Sequence, residues 1–254
     1  MPASGSRASR DDLGAVVAVP RPVRRVVSLV PSLTESVALS DAGLLVGATD
    51  WCVEPAGLSV ARVGGTKNPR VTNVLALAPD LVLANEEENR AEDVAALRAT
   101  GVAVWVTAPR SVPDALTSLG RVLAVCGIPS PPWYAAACRA WPPGPPPPPT
   151  RTALVPIWKK PWMALGRDTF AGDVLARLGV ANVLAGSRDR YPKVVLADLP
   201  PYDLVVLPDE PYAFAPDDAA AFGGVPCAFV SGRHLTWYGP SLAEARDVLG
   251  ERLG

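Results

Sequence analysis

PSPPWYAAACRAWPPGPPPPPT, residues 129–150, decides how this chain is read. A proline pair, Pro131-Pro132, precedes a short stretch with helical spacing, Trp133 to Trp141. A run of prolines follows, broken only by Gly144. Proline lacks a backbone N–H and its ring clashes inside a helix, so such a run takes the stiff polyproline form. On either side, short apolar runs alternate with amphipathic stretches. That alternation predicts strands and helices in turn, hence a mostly parallel sheet on each side. The stretch is therefore a joint. Residues 1–24 read as a loose N-terminal segment, 25–111 as an N-terminal α/β lobe, 112–150 as a bridging helix with the Pro-rich joint, and 151–254 as a C-terminal α/β lobe.

Composition narrows the function. The 254 residues are 49% hydrophobic and 19% charged, with a formal net charge of -1. There is core material for one or two domains, and no general attraction to nucleic acid or an anionic membrane. The four cysteines include no CxxC pair, and the one histidine, His234, excludes a multi-histidine metal site within the chain. No apolar run reaches the ~18 residues of a membrane span. Met1 to Arg25 lacks the basic start, long apolar core and cleavage site of a secretory signal, and no lipid-attachment cysteine follows. The chain as written is expected in the cytoplasm, and outside it if the true start lies upstream. GxSxG, HExxH, P-loop and GxGxxG patterns are absent, so no catalytic residue is assigned and no enzyme is expected.

In the first lobe, Arg25 to Val30 reads as a buried strand. Ser32-Leu33-Thr34-Glu35 fits a capping box opening a helix to about Asp41, and Leu44 to Ala48 is the next strand. Thr49 to Pro69 is a long loop with Trp51, Gly64-Gly65, Lys67 and Asn68. Val71 to Ala78 is a helix, Leu81 to Ala84 a strand, Ala91 to Thr100 a helix and Val102 to Val106 a strand. Ligands of parallel sheets bind beyond the carboxyl ends of the strands, which places Trp51, Lys67, Asn85 and Glu86 near one rim. A helix from Val112 or Pro113 to Cys126 leads to the joint. In the second lobe, Thr152 to Ile157 reads as a strand, and Trp158 to Trp162 (WKKPW) as a turn. Asp168 or Thr169 caps a helix over Phe170 to Leu178. Ala181 to Ala185, Tyr202 to Leu207 and Pro226 to Val230 read as strands, Asp217 to Phe222 and Leu242 to Leu249 as helices, and Ser231 to Pro240 as a loop. YDLVVL at 202–207 echoes PDLVL at 79–83, as two similarly built lobes would.

VVSLVPSLTESVALSDAG (26–43), VGATDWCVEP (46–55), VGGTKNPRVTNVLALAPDLVLANEEEN (63–89), GRDTFAGDVLARLGVANVLAG (166–186) and LTWYGP (235–240) occur in order along the chain. Together they resemble the helical-backbone metal receptors, the cobalamin- and iron-siderophore-type substrate-binding proteins of ABC transporters. The resemblance covers about Arg24 to Leu253. It implies two Rossmann-like lobes joined by one bridge, here a helix plus polyproline, with a ligand cleft between the lobes. The implied activity is non-catalytic binding of a cobalt corrinoid or a ferric siderophore, with no intrinsic cofactor. Positions matching the family's cleft are Trp51, the Thr66-Lys67 pair, Asn85, Tyr191 and the 232–238 loop. The family docks on a membrane permease through one glutamate per lobe. Glu35 matches the first position, and the second falls near Asp198.

The residues themselves leave alternatives open. Trp51, Trp158, Trp162, Trp237 and Tyr238 are either packing residues or flat walls for a planar ligand. Lys67, Arg233 and His234 are either solvated charges or donors to an anionic chelate, and His234 alone could complete the coordination of a metal already held by a chelator. Glu86 is either the first turn of a helix or a cleft group, and Glu35 either a cap or a docking residue. The expected partners are a small metal chelate and, if the chain is exported, an ABC permease, with the chain a monomer. The alternative is a cytoplasmic enzyme or regulator of cofactor metabolism that reuses the fold.

Overall fold

The computed structural model describes residues 6–254. It divides into two compact α/β units. The first holds the described residues up to Ala108 with Leu116–Ala135 and Tyr238–Pro240. The second holds Pro109–Ala115, Ala136–Trp237 and Ser241–Gly254. Residues 112–150, read as a joint, are thus shared between them.

In the first unit, β1 (Ser6–Arg10) and β2 (Val16–Pro20) make an antiparallel hairpin. β3 (Val26–Ser28), α1 (Pro31–Asp41), β4 (Leu45–Ala48), β5 (Ala61–Arg62), α2 (Val71–Ala76), β6 (Leu81–Asn85), α3 (Ala91–Ala99) and β7 (Val104–Thr107) follow. The sheet is parallel throughout, in the order β5-β4-β3-β6-β7. Val27, Val82, Ala84, Val104 and Val106 form one core with Val74, Val94 and Leu97. The alternate residues Val26, Leu81, Leu83 and Trp105 point to the other face by the pleat and are buried too. Burial on both faces is why these strands read as unbroken apolar runs.

α4 (Val112–Cys126) and α5 (Pro132–Ala140) come next. In the first unit Trp133 donates Nε1–H to Ser40 Oγ at 2.9 Å, and the Tyr134 hydroxyl donates to the Leu116 carbonyl at 2.9 Å. In the second unit, buried Trp141 donates Nε1–H to the Leu242 carbonyl at 2.8 Å. Pro142 to Thr150 are exposed throughout.

The second unit contains β8 (Arg151–Leu154), β9 (Pro156–Trp158), β10 (Met163–Ala164), α6 (Phe170–Arg177), β11 (Val180–Asn182), β12 (Leu204–Pro208), β13 (Cys227–Val230), α7 (Gly232–Thr236) and α8 (Leu242–Leu253). Its parallel sheet runs β11-β8-β12-β13. β11, β8, β12 and β13 thus repeat the order of β4, β3, β6 and β7. The echo between PDLVL and YDLVVL has an atomic basis. Asp80 Oδ2 accepts the N–H groups of Arg24 and Arg25 at 2.8 and 3.0 Å, and its own N–H returns to the Arg25 carbonyl. Asp203 Oδ2 accepts the Thr152 N–H and hydroxyl, both at 2.8 Å, and its N–H returns to the Thr152 carbonyl. Each aspartate fastens the start of the central strand to its neighbour. The Thr152 donors hold the Asp203 carboxyl below its ordinary value.

Several expectations need correction. The N-terminal segment, read as loose, is the β1–β2 hairpin over its described part; Met1 to Gly5 lie outside the described residues. Asp11 is the reason. Its Oδ1 accepts the N–H groups of Leu13 and Ala15 across the turn, and its Oδ2 pairs with Arg98 at 2.6 Å. Asp12 pairs with Arg121 at 2.7 Å and accepts the Ala108 N–H at 3.0 Å. Composition alone hides these long-range partners. The capping box at Ser32 to Glu35 does not form. Pro31 takes the first turn, where its missing N–H costs nothing, so Val30 becomes the cap residue and makes no side-chain cap bond. The strand expected over Thr152 to Ile157 is two. Pro156 cannot donate to the ladder, so the chain leaves the sheet and pairs antiparallel with β10. The helix expected over Asp217 to Phe222 is a 3-10 helix, Pro216–Phe222, and the 231–240 loop contains α7.

Candidate functional site

In a parallel sheet the crevice opens where successive connections leave on opposite sides. That switch point lies between β3 and β6 in the first unit, and between β8 and β12 in the second.

Asn89 organises the rim of the first unit. Its Oδ1 accepts the Asn85 N–H at 2.9 Å, and its Nδ2 donates to the carbonyls of Leu29 and Thr66 at 3.2 and 2.9 Å. One buried amide therefore ties the ends of β3 and β6 to the Thr66-Lys67 loop. Arg62 holds the earlier part of that loop through the carbonyls of Thr49 and Cys52, each at 2.8 Å. The Cys52 thiol lies within 3.1 Å of the Thr34 and Thr49 hydroxyls, and burial pushes its pKa up. On this frame Trp51 is 68% exposed, its indole edge beside Gly65. Lys67 donates Nζ–H to the Glu87 carbonyl. Glu86 is exposed. Burial raises the Glu88 carboxyl, with Lys67 opposing the rise.

Asn85 and Tyr238, expected as ligand groups, are buried and bonded to the protein itself. Asn85 is 4% exposed. Its Nδ2 donates to the Thr107 carbonyl at 3.0 Å and to the Tyr238 hydroxyl at 2.7 Å, and its Oδ1 accepts the N–H groups of Glu87 and Glu88 at 2.7 and 3.0 Å. The Tyr238 hydroxyl also meets Thr107 Oγ1 at 2.8 Å. Burial raises this phenol well above its ordinary value. Next to it, a Cβ on Gly239 would sit 2.9 Å from the Ser32 carbonyl, so only glycine lets this segment lie against α1. Asn85 and Tyr238 are the floor under the rim. Glu35 is 1% exposed, and that burial removes it as a docking residue, whereas Asp198 is exposed on the 3-10 turn Leu196–Asp198.

In the second unit the ends of β9 and β12 carry an aromatic cluster. Trp158, 45% exposed, meets Tyr212 edge-on with centroids 5.5 Å apart, and Tyr212 lies 4.7 Å from Phe214. Trp162 stacks on Phe214 at 6.2 Å and meets Phe222 at 5.4 Å. It packs against the unit's core with Leu154, Val205 and Leu207, so it supports the rim rather than forming it. Lys159 is ion-paired with Asp218 and lies 5.9 Å from the Trp162 ring. Hydrogen bonding to Asp218 raises Lys159, while the Ala215 N–H and then Lys159 lower Asp218. Tyr191 is half-buried with Arg190 over its ring at 5.7 Å. That loop is clamped by Gly166, where a Cβ would fall 2.2 Å from the Asp189 carbonyl oxygen.

α7 gathers three further expected residues. The Arg233 guanidinium lies 6.0 Å from the Trp237 ring, and its Nη1 lies 3.8 Å from Glu244 Oε1. His234 has Nδ1 2.8 Å from Ser231 Oγ and Nε2 3.0 Å from the same Glu244 oxygen. With both ring nitrogens engaged, His234 is not poised as a ligand to a chelated metal. Asn89, Thr107, Tyr212, Asp218 and Glu244 were missed from sequence. Only Asn89, four residues after Asn85 at a strand's carboxyl end, and Tyr212, in DEPYAF after β12, carried a positional signal.

No protein-family model matches this chain, and no curated protein matches it in sequence. Solved structures do. The periplasmic vitamin B12 binding protein BtuF of Vibrio cholerae superposes with a TM-score of 0.70 at 17% identity, covering 91% of this chain and 97% of that one. A periplasmic heme binding protein from Pseudomonas aeruginosa gives 0.68 at 22%, covering 90% and 91%. Helicobacter pylori CeuE, in a complex with nickel and histidine, gives 0.74 at 11%, covering 97% and 88%. The chain has the α/β fold of these proteins, the periplasmic vitamin B12 and heme binding proteins among them.

Proposed function

We propose that this chain binds a metal chelate, a cobalt corrinoid or a ferric chelate, without transforming it. The observation that carries the reading is the pair of exposed indoles, Trp51 and Trp158, each beyond the carboxyl ends of a parallel sheet. A large exposed aromatic fixed on a rigid frame gives a flat apolar wall at little entropic cost. Polar groups beside the walls, Lys67 and Glu86 in one unit and Tyr191, Arg233 and Trp237 in the other, would meet a chelate's periphery. The fold likeness supports binding as the role, since the compared proteins bind vitamin B12, heme or nickel with histidine.

Equilibrium titration with cobalamin, cobinamide, heme and several ferric siderophores, read by tryptophan quenching, tests the proposal. Saturable binding of at least one is expected. No binding of any at ~100 μM, that is, affinity weaker than ~5.5 kcal/mol, overturns it.

No helix among the described residues is long and apolar enough to cross a membrane. Two of the compared proteins, the vitamin B12 and heme binding proteins, are periplasmic, which favours an extracytoplasmic place over the cytoplasmic one expected from sequence, and with it an ABC permease as partner. Asp198 is the docking group that remains. A chain fused to alkaline phosphatase should be active in cells if it is exported; an inactive fusion favours the cytoplasm.

A further inference from the structure

We propose that Ser231, His234 and Glu244 form a nucleophilic serine centre that accepts an acyl group from a small activated ester. The inference is independent of chelate binding.

Ser231 occupies the cap position of α7. A serine there ordinarily uses its oxygen to accept an N–H from the first turn. Ser231 makes no such cap bond. Its Oγ is instead 2.8 Å from His234 Nδ1. The other ring nitrogen, Nε2, lies 3.0 Å from Glu244 Oε1 in the first turn of α8. In a neutral imidazole these contacts set the tautomer. A carboxylate only accepts, so Nε2 carries the hydrogen. Nδ1 of the neutral ring is then the acceptor, and the Ser231 hydroxyl donates to it. A hydroxyl on a base, and the base oriented by a carboxylate, is the general arrangement of an activated nucleophile. Here the hydroxyl is on Nδ1 and the acid on Nε2, the reverse of the assignment in serine proteases.

The surroundings hold this geometry. The Gly232 N–H donates to Asp209 Oδ1 at 2.6 Å, and the Thr236 hydroxyl donates to the Gly232 carbonyl at 2.9 Å. Gly232 is pressed on Glu210, where a Cβ would fall 2.8 Å from the backbone oxygen. The His234 side chain is 13% exposed and Glu244 61%, so the carboxylate stands on the solvent side of the imidazole.

In the step, Ser231 Oγ attacks the ester carbonyl carbon while its proton passes to Nδ1. The carbon–alkoxide bond breaks and the leaving oxygen takes that proton from Nδ1, leaving acyl-serine. Water then attacks the acyl carbon, giving its proton to Nδ1. The released carboxylic acid departs and Ser231 Oγ recovers the proton.

The full chain is incubated with a fluorophosphonate probe, and separately with p-nitrophenyl acetate, and adducts are mapped by peptide mass spectrometry. A single adduct on the Ser231 peptide is expected in the unaltered chain. His234→Ala should slow its formation by about 10²–10⁴-fold, the range of a lost general base. Glu244→Gln should slow it less and, at an exposed position, leave the thermal unfolding curve in place. No adduct on Ser231 of the unaltered chain, or an equal labelling rate in a folded His234→Ala chain, overturns the proposal and makes the trio a structural bridge between α7 and α8. Chelate titration of the same variants keeps the two readings separate.

Discussion

Tyr238→Phe removes one oxygen atom from the floor of the first unit, and its consequences follow from the partners. The lost contacts are those to Asn85 Nδ2 and Thr107 Oγ1, at 2.7 and 2.8 Å. Each partner keeps another: Asn85 Nδ2 still donates to the Thr107 carbonyl, and Thr107 Oγ1 to the Ala84 carbonyl. Neither is orphaned, so the cost is that of two ordinary buried hydrogen bonds, about 1–3 kcal/mol together. For a chain of this size that lowers Tm by about 2–12 °C. The pH dependence gives a second signature. The ordinary value of the phenol is 10.0 and burial raises it in the folded state. Below pH 10 the phenol is protonated whether the chain is folded or not, and the stabilisation is fully present. Above it the unfolded chain releases the proton first. Stability then falls by up to about 1.4 kcal/mol per pH unit until the folded phenol also titrates. Phenylalanine has no such slope. The advantage of the unaltered chain over the variant should therefore shrink above pH 10 and vanish at about pH 11–12. Tyr202, also raised by burial, is common to both chains and cancels in the difference. Paired urea titrations at pH 8, 10 and 11.5 measure this. Equal stability at pH 8, or a gap that stays constant to pH 11.5, would refute the reasoning.

Trp51→Ala and Trp158→Ala should each raise the Kd of a bound chelate by about 2- to 12-fold, from ~0.5–1.5 kcal/mol of ring contact, with Tm moving little for Trp51, which is 68% exposed, and more for Trp158, which is 45% exposed and packs on Tyr212; unchanged titration curves would remove them from the site. Gly232→Ala forces a Cβ to 2.3 Å from Glu210 Cγ and 2.8 Å from the Glu210 carbonyl oxygen, so thermal unfolding should show a loss of about 1–3 kcal/mol from overpacking. Asp80→Ala and Asp203→Ala should each lower the urea midpoint at an unchanged m-value. The Asp203 contribution should be fully present above the ordinary value of 3.8 and be lost as pH falls from there through the lower value of the folded state.

The fold was legible because parallel strands buried on both faces admit few residue types. VVS, LVLA and VWV could be read as strands without partners in view, and the aspartate of each DLV segment repeated with them. The effects of Pro31 and Pro156 were missed, since the first helix was expected to open on a capping box at Ser32 and residues 152–157 were read as one strand. Their effect depends on which neighbour has an N–H to offer, and sequence distance does not show that. The N-terminal hairpin was invisible for the same reason. Asp11 is held by Arg98, eighty-seven positions along the chain.

The rim was less legible, and Asn85 and Tyr238 explain why. Both lie in motif-like segments, and both looked like ligand groups because amides and phenols serve equally as donors to a ligand or to the protein. The deciding quantity is burial, and it follows from where the ends of β6 and β7 meet the 238–240 segment. A polar residue at a strand's carboxyl end that is buried must satisfy itself internally, and each does so through the other. The exposed residues that remain, Trp51 and Trp158, are those whose loops are held by other groups: Arg62 and Asn89 for the first, the β9–β10 hairpin and the Lys159–Asp218 pair for the second. A rim can therefore change its exposed rings without disturbing the frame that carries them, and ligand choice then varies while strand order does not.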